Sequence, residues 1–270
     1  MKLWIAAAAA LLAAGCLLAG GCGKEAPEAG SSFEGHVHIV THANWNPFEY
    51  LKDGKITGFD IDLIEEASKR AGLTPDITDA GWEAIFEQIR TGQADAAVSG
   101  ITITDDRKKT YLFSKPYFVS RQAILVREDT DISCAKDLMD GKTVAVQNGS
   151  TGQEALEKLM GKNNSAIRKT PMSIQMLIGG QVDALVGDET SVKAIKAQYP
   201  DQHLKILYDD AAFTPEYFGI LYPKDKGQAL QQKLDKALSD MVSDGTYSRI
   251  YEKWFHSSPD EKMLASLKQE

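Results

Sequence analysis

The sequence predicts an α/β protein made of two similar lobes, each with a mainly parallel sheet. Two observations lead to this prediction: strand-like segments alternate with amphipathic helices, and one helix-to-strand junction occurs twice in the chain. Short Val and Ile runs or apolar alternation predict strands at residues 37–43, 94–99, 123–126, 143–146, 183–186, 204–208 and 217–222.

Helical periodicity occupies the segments between these strands. One apolar stripe covers residues 60–71 and ends before Gly72, and a second covers residues 82–89 and is closed by Gly92. Residues 227–255 are also helical in pattern, with a break at Gly245. This alternation favours α/β architecture.

The repeated junction is an internal echo. The sequence GQADAAVSG at residues 92–100 recurs as GQVDALVGD at residues 180–188, and each copy follows a helix and enters a strand. Ligands of open α/β sheets bind beyond the carboxyl ends of the strands. Unless the echo is a coincidence of common residues, Ser99, Gly100 and Asp188 therefore face a shared cleft.

Composition and charge exclude several function classes. The chain has 270 residues, 43% of them hydrophobic, and a formal net charge of -8. An acidic protein offers no large basic surface for phosphates, which disfavours nucleic-acid partners. The five His residues lack a His or Cys partner at metal-binding helical spacing, so we expect no metal site.

The amino terminus is typical of an exported bacterial lipoprotein. Residues 1–22 combine one Lys, an Ala- and Leu-rich apolar run and the sequence AGGC, which resembles a lipobox and makes Cys22 the predicted lipidation site. Cys16 is a second match, but cleavage there would leave an apolar new terminus. Residues 23–32 have the composition of a flexible tether, and the folded body begins near Phe33.

Candidate ligand-binding groups follow the predicted strands. Thr104 and Asp105 are expected to cap a short helical turn that directs Arg107, whose guanidinium matches a carboxylate bidentately. The alternative is a solvated surface Arg in a charged run. Asp188 has the charge to pair with an ammonium group.

A loop and two aromatic residues complete the candidates. The loop at residues 147–152 precedes a helix, whose amino terminus stabilises an anion unless the loop is a plain helix cap. Trp45 and Trp82 are placed to sandwich a flat or cationic side chain, although such residues also belong to cores. No motif joins a nucleophile to a base, so hydrolytic catalysis has no support in the sequence.

Five segments form one pattern along the chain: Trp45-Asn46-Pro47-Phe48, residues 58–63, residues 100–104 with Arg107, residues 113–117 and residues 180–188. Taken in order, they resemble the extracytoplasmic polar amino-acid-binding proteins of ABC importers. The resemblance covers Phe33 to about Pro259, and at Gln147, Asn148 and residues 151–154 the chain is similar in detail to arginine-binding members.

The resemblance implies a two-lobed type II periplasmic-binding-protein fold, the Venus-flytrap architecture. Lobe 1 would comprise residues 33–119 and 217–262, and lobe 2 residues 120–216. A ligand bridging the lobes would favour a closed form that docks on the permease of an ABC importer. The resemblance implies a monomer, no cofactor and no catalytic residue.

The resemblance also implies a role for each site residue. Arg107 would bind the ligand α-carboxylate together with the backbone N–H groups of Thr102 and Thr151. Asp188, the Gly100 carbonyl and the Thr102 hydroxyl would bind the α-ammonium. The ligand side chain would lie between Trp45 and Trp82, with Ser99, Gln147 and Ser150 nearby.

One departure bears on specificity. Many members that bind Arg, Lys or Gln have an Asp where this chain has His42, so arginine is the first choice but glutamine and histidine are contenders. Two alternatives in function stay open. One is a dehydratase of prephenate or arogenate on the same scaffold, with Glu154 or Glu189 as acid; the other is a sensor that signals through a membrane receptor.

Overall fold

The computed structural model describes residues 35–170 and 174–268. The predicted signal peptide, Cys22 and the tether lie outside these residues. In the described part, no helix is both long and apolar enough to cross a bilayer.

Strands and helices alternate along most of the chain. The strands are β1 (His36–Thr41), β2 (Asn44–Trp45), β3 (Glu49–Lys52), β4 (Lys55–Thr57), β5 (Thr74–Asp79), β6 (Ala96–Ala97), β7 (Tyr111–Phe113), β8 (Phe118–Ser120), β9 (Gln122–Arg127), β10 (Val144–Val146), β11 (Ile167–Lys169), β12 (Ala184–Asp188), β13 (Leu204–Leu207), β14 (Glu216–Phe218) and β15 (Leu221–Pro223). The helices are α1 (Phe59–Arg70), α2 (Trp82–Thr91), α3 (Asp105–Thr110), α4 (Thr151–Met160), α5 (Ile174–Ile178), α6 (Glu189–Gln198), α7 (Gln228–Ser243), α8 (Thr246–Phe255) and α9 (Glu261–Lys268), with 3-10 turns at Ala135–Met139 and Pro200–Gln202.

Two five-stranded sheets share one topology. Their strand orders are β5-β1-β6-β15-β7 and β11-β10-β12-β9-β13. The first three strands of each order are parallel, the fourth is antiparallel to both neighbours, and the fifth therefore runs with the first three. The mainly parallel arrangement predicted from the sequence is present, with one reversed strand in each sheet. Strands β2, β3 and β4 form a separate three-stranded sheet.

The reversed strands follow two crossing segments. β8 and β14 pair with each other as a two-stranded antiparallel sheet, and the chain then continues from β8 into β9 and from β14 into β15. The single strand predicted at residues 217–222 is therefore wrong. It is two strands, because Glu216–Phe218 pairs with β8 whereas Leu221–Pro223 pairs with β6 and β7.

The two copies of the internal echo occupy equivalent positions in the two five-stranded sheets. Their strands, β6 and β12, hold the same third position in the two sheets. Asp95 accepts a hydrogen bond from the backbone N–H of His38 (2.8 Å), and Asp183 accepts the equivalent bond from Thr143 (2.7 Å). The strand in the first copy is shorter than predicted, because only Ala96–Ala97 of the predicted residues 94–99 pairs as a strand.

Both faces of each sheet are buried against helices. Val37 and Ile39 of β1 pack in a cluster with residues of α1, α7 and α8, whereas Val40 points to the other face with Ile85 and Ile89 of α2. In the second sheet, alternate residues of β9 enter two further clusters in the same way. Strand β5 was missed because its sequence, TPDITD, is polar and lies at a sheet edge.

Candidate functional site

All eleven predicted site residues line one cleft of about 1100 Å³. Most of them follow the central strands of the two sheets, where the strand order places a crevice at the carboxyl ends. They are His42, Trp45, Trp82, Ser99, Gly100, Thr102, Arg107, Gln147, Ser150, Thr151 and Asp188.

Arg107 is held by a helix cap and by two carbonyls. The Thr104 hydroxyl accepts a hydrogen bond from the Arg107 backbone N–H (3.1 Å), as the sequence predicted. Asp105 does not share this role; it lies exposed in the first turn, 3.7 Å from Lys108 Nζ. The guanidinium donates to the carbonyls of Thr102 (2.9 Å) and Gly149 (3.1 Å).

The environment of Arg107 is partly apolar. Its guanidinium carbon lies 5.2 Å from the centre of the Phe86 ring and 5.7 Å from that of Trp82. Burial lowers the pKa of the guanidinium, but an arginine remains charged at any physiological pH. Arg107 is half-buried, and a half-buried cation interacts more strongly with a carboxylate than one surrounded by bulk water.

Glu216 joins the residues that surround Arg107. Its Oε2 accepts hydrogen bonds from the hydroxyls of Thr102 (2.8 Å) and Thr151 (2.6 Å), and its Oε1 accepts one from Gln122 Nε2 (3.3 Å). A hydroxyl that donates to Glu216 presents its lone pairs to other donors. The Thr102 hydroxyl is thus prepared to accept from an ammonium group.

Asp188 ends β12 on the opposite side of the cleft. Its Oδ1 accepts a hydrogen bond from the Ser120 hydroxyl (3.0 Å). Burial, and next the negative charge of Glu216, raise the pKa of Asp188 to about 7. A ligand ammonium group beside Asp188 would lower this pKa again, because a nearby positive charge favours the ionised carboxylate.

Trp45 is locked against the glycine that precedes the Thr102 segment. Gly100 has φ +51°, and a Cβ built there would lie 1.9 Å from Trp45 Cζ3. Only glycine allows this approach. The indole N–H of Trp45 contacts the Ser191 hydroxyl of α6, across the cleft.

The rest of the lining is polar. The Ala80 carbonyl can only accept, so His42 Nδ1 donates to it (3.1 Å). Glu83, which the sequence analysis missed, accepts from the Asn148 side chain across the cleft. Ser150 caps α4, its hydroxyl accepting from Gln153 N (3.2 Å) and donating to the Gln147 carbonyl (2.8 Å).

Comparison of the sequence with known protein families identifies the family of this chain. Residues 37–257 match the family described as bacterial extracellular solute-binding proteins, family 3. The chain belongs to this family. Among the described residues, no group of three or more His, Cys, Asp or Glu side chains is arranged to hold a metal ion.

Relatives of the solute-binding protein carry names of amino-acid-binding proteins. It is 33% identical over 260 residues, covering 94% of this chain and 96% of the other, to a "Probable histidine-binding protein" of Neisseria gonorrhoeae. It is 30% identical over 225 residues, covering 80% and 90%, to the arginine-binding periplasmic protein of Mannheimia haemolytica.

Solved structures give the same fold. The arginine-, lysine-, histidine-binding protein ArtJ of Geobacillus stearothermophilus superposes with a TM-score of 0.81 at 40% identity, covering 86% of this chain and 99% of ArtJ. An ancestral amino acid-binding protein, described as a precursor of cyclohexadienyl dehydratase, gives 0.70 at 32% identity, covering 82% and 96%. The arginine-binding resemblance and the α/β solute-binding fold predicted from the sequence are confirmed.

Glu216 and Gln122 were missed for the same reason as Glu83. Each acts through a partner far along the chain; Glu216 and Thr102, for example, are separated by 114 residues. For Glu216 alone the sequence offered a signal, a single charged residue in the otherwise uncharged crossing segment at residues 213–221.

Proposed function

We propose that this protein captures a polar amino acid outside the cytoplasm and delivers it to the permease of an ABC importer. Arginine is the first choice of ligand, with glutamine and histidine next. The observation that carries the proposal is that Arg107 and Asp188, of opposite charge, line one cleft in a family of solute-binding proteins.

Arg107 binds the α-carboxylate, and Asp188 binds the α-ammonium. The backbone N–H of Thr151, in the first turn of α4, has no partner within the helix and adds a donor beside Arg107, as does that of Thr102. The Gly100 carbonyl and the Thr102 hydroxyl complete the ammonium site. Glu216 adds negative potential that attracts the ammonium and aligns both Thr hydroxyls.

The walls around the ligand side chain favour a cation or a strong donor. Trp45 and Trp82 offer aromatic faces. The Glu83 carboxylate is an acceptor in this part of the cleft and supplies a negative charge. These groups suit a guanidinium or imidazolium, while Gln147 and Asn148 suit an amide. Ser99 and Ser150 lie nearby.

The ligand is held when the two lobes close around it. Lobe 1 comprises residues 33–119 and 217–262, and lobe 2 residues 120–216, so that β8 and β14 connect the lobes. Contacts such as Arg107 to the Gly149 carbonyl belong to the closed form, and a ligand between Arg107 and Asp188 adds to them. The protein acts as a monomer, which light scattering after gel filtration would test.

Cys22 anchors the protein to the outer face of the cell membrane through a lipid. Metabolic labelling of cells with a radioactive fatty acid should mark the wild-type protein and the C16S variant but not C22S. Labelling of C22S and loss of label in C16S would assign the anchor to Cys16 instead.

A dehydratase function requires a general acid in the cleft. Glu189 is unsuited: although burial opposes this, hydrogen bonds from Lys193 and Arg121 lower the pKa of its carboxyl, so it remains ionised. Neither Glu189 nor Glu154 lines the cleft. Neither of the two acids that the sequence offered is therefore suited to this step, which supports a binding protein rather than an enzyme.

The test is thermal unfolding of protein truncated before Phe33 and stripped of ligand by unfolding and refolding. The screen contains the twenty amino acids, prephenate and arogenate, with product formation followed for the last two. A ligand at about a hundred times its Kd adds roughly 2.7 kcal/mol of stability. We expect a shift with arginine, glutamine or histidine.

Two substitutions make the screen specific. Arg107→Ala should abolish the shift, whereas Arg168→Ala, at an exposed position of β11 outside the cleft, should keep it. A shift with prephenate or arogenate alone, accompanied by product, would replace the transport function by the dehydratase.

A further inference from the structure

Two buried carboxyl groups to which the proposed function assigns no ligand contact lie at the cleft wall, where Glu49 is among the lining residues. Glu49 begins β3 and Asp60 lies in the first turn of α1, and both residues are 0% exposed. None of the ion pairs among the described residues includes either carboxyl group. Two buried charges without a cation would be strongly unfavourable.

The hydrogen bonds account for only half of the carboxyl oxygens. Glu49 Oε1 accepts from the Ser99 hydroxyl (2.6 Å), and Asp60 Oδ2 accepts from Gly100 N (2.9 Å) and the Tyr117 hydroxyl (2.8 Å). Glu49 Oε2 and Asp60 Oδ1 are buried and receive no donor. The two carboxyl groups interact directly with each other, and a proton held between them would give one group a donor and the other an acceptor.

The electrostatics favour the same arrangement. Burial, and next the charge of Asp60, raise the pKa of Glu49 well above its usual range, while burial raises that of Asp60 to about 6. The other titratable groups facing the pair are the hydroxyls of Tyr117 and, on α8, Tyr247. Burial raises the pKa of both phenols, so they stay neutral and add no charge.

The pair is bonded to the floor of the proposed ammonium site. The Ser99 hydroxyl, which donates to Glu49, accepts from the backbone N–H of His42 (3.1 Å). Gly100 N donates to Asp60 and also approaches the Tyr117 hydroxyl (3.2 Å). His42, Ser99 and Gly100 all line the cleft.

We propose that Glu49 and Asp60 share a single proton and that this neutralised pair is a positioning element, which holds Ser99 and Gly100 where the ligand ammonium binds. The second half of this inference rests on the proposed function. Glu49 is the proton donor and Asp60 the charged acceptor, and both are fully buried.

The shared proton has a direct spectroscopic test that needs no ligand. At pH 8, the infrared difference spectrum between wild-type protein and Glu49→Gln should contain the carbonyl stretch of a protonated carboxylic acid. The same difference with Glu128→Gln, an exposed carboxylate, should contain carboxylate bands and the bands of the new amide but no protonated-acid band. Absence of the protonated band in the Glu49 spectrum would overturn the proposal.

The positioning role is tested by calorimetry with L-arginine. Glu49→Ala leaves the Ser99 hydroxyl and Asp60 without their partner and should weaken binding by about tenfold or more. Glu49→Gln supplies an N–H in place of the proton and should restore affinity to within about threefold of wild type. If Glu49→Ala does not fold, Glu49→Gln still decides: a loss as large as about tenfold would contradict the positioning role.

The two proposals fail in different ways. If L-arginine does not bind the wild-type protein, the proposed ligand is wrong, while the infrared band still reports the shared proton. If L-arginine binds but the band is missing, the ligand assignment stands and the proton pair does not.

Discussion

Replacing Asp188 by Asn should stabilise the ligand-free protein. The carboxyl group has a pKa of about 7, raised by burial and by Glu216 from an ordinary value of 3.8. A group whose pKa is higher in the folded than in the unfolded state makes its full contribution to stability at low pH. That contribution is lost as the pH rises from 3.8 to about 7, because the folded protein must then hold an unfavourable charge.

The magnitude follows from the shift. From 3.8 to about 7 is about three pKa units, and each unit is worth 1.36 kcal/mol, which sets an upper limit of about 4 kcal/mol at pH 8. Asp188 is partly exposed and an amide does not match a carboxyl perfectly. We therefore expect Asp188→Asn to raise the free energy of unfolding by about 1 to 3 kcal/mol at pH 8.

Urea unfolding of ligand-stripped protein measures this effect. The gain should be present at pH 8 and nearly absent at pH 4, where Asp188 is protonated in the folded wild type. Asp201→Asn, at an exposed site, is the matched control and should change stability little at either pH. Equal stability of Asp188→Asn and wild type at pH 8, or the same gain at both pH values, would refute the reasoning.

The proposed role of Asp188 predicts that the same titration limits ligand binding. An ammonium group requires the ionised carboxylate, so a proton on Asp188 competes with the ligand. Affinity should fall by about tenfold for each pH unit below 7, approaching 100-fold at pH 5. Calorimetry in buffers of different ionisation enthalpy should detect nearly one proton released per ligand at pH 6, and affinity that is flat between pH 5 and 8 would contradict the assignment.

Three further predictions test the cleft and the core. Arg107→Lys should weaken amino-acid binding by about tenfold or more in calorimetry, since one ammonium cannot reproduce the planar donor fork; affinity within about twofold of wild type would exclude bidentate recognition. Gly100→Ala should displace Trp45, change its fluorescence and lower the free energy of unfolding by about 1 to 3 kcal/mol, because the new Cβ would lie 1.9 Å from the indole; an unchanged spectrum and midpoint would argue against this contact. Phe59→Ala should cost about 3 to 5 kcal/mol in urea unfolding, since the ring is fully buried among aromatic neighbours, and a cost below about 1 kcal/mol would show that the core there is not packed as described.

Local patterns in the sequence determined the layout of the fold. The stripe at residues 60–71 and the break at Gly245 became helices α1, α7 and α8 with close to the expected bounds. The echo marked equivalent strands of two sheets because each copy holds, within one short segment, a Gly that follows a helix and an Asp that accepts a hydrogen bond from the backbone of a neighbouring segment. Thr104 could be assigned as the cap of Arg107 for the same reason, as the two are three residues apart.

Strand bounds were predicted less well, because pairing depends on the partner. Residues 217–222 have one continuous apolar pattern, yet they divide between two sheets. The short ladder at Ala96–Ala97 and the polar edge strand β5 have the same explanation. Propensity describes a segment, whereas a sheet is made by segments distant in the chain.

Only the tertiary structure decided how the charges of the cleft are arranged. Arg107 and Asp188 have a pattern in the sequence, but the Thr102–Glu216–Thr151 contacts and the Glu49–Asp60 pair have none. Their members come from separate elements, and no local spacing encodes which buried carboxyl group meets which donor. Hydrogen bonds and charges act over a few ångströms in space, so the sequence determined which groups are available and the fold determined which of them meet.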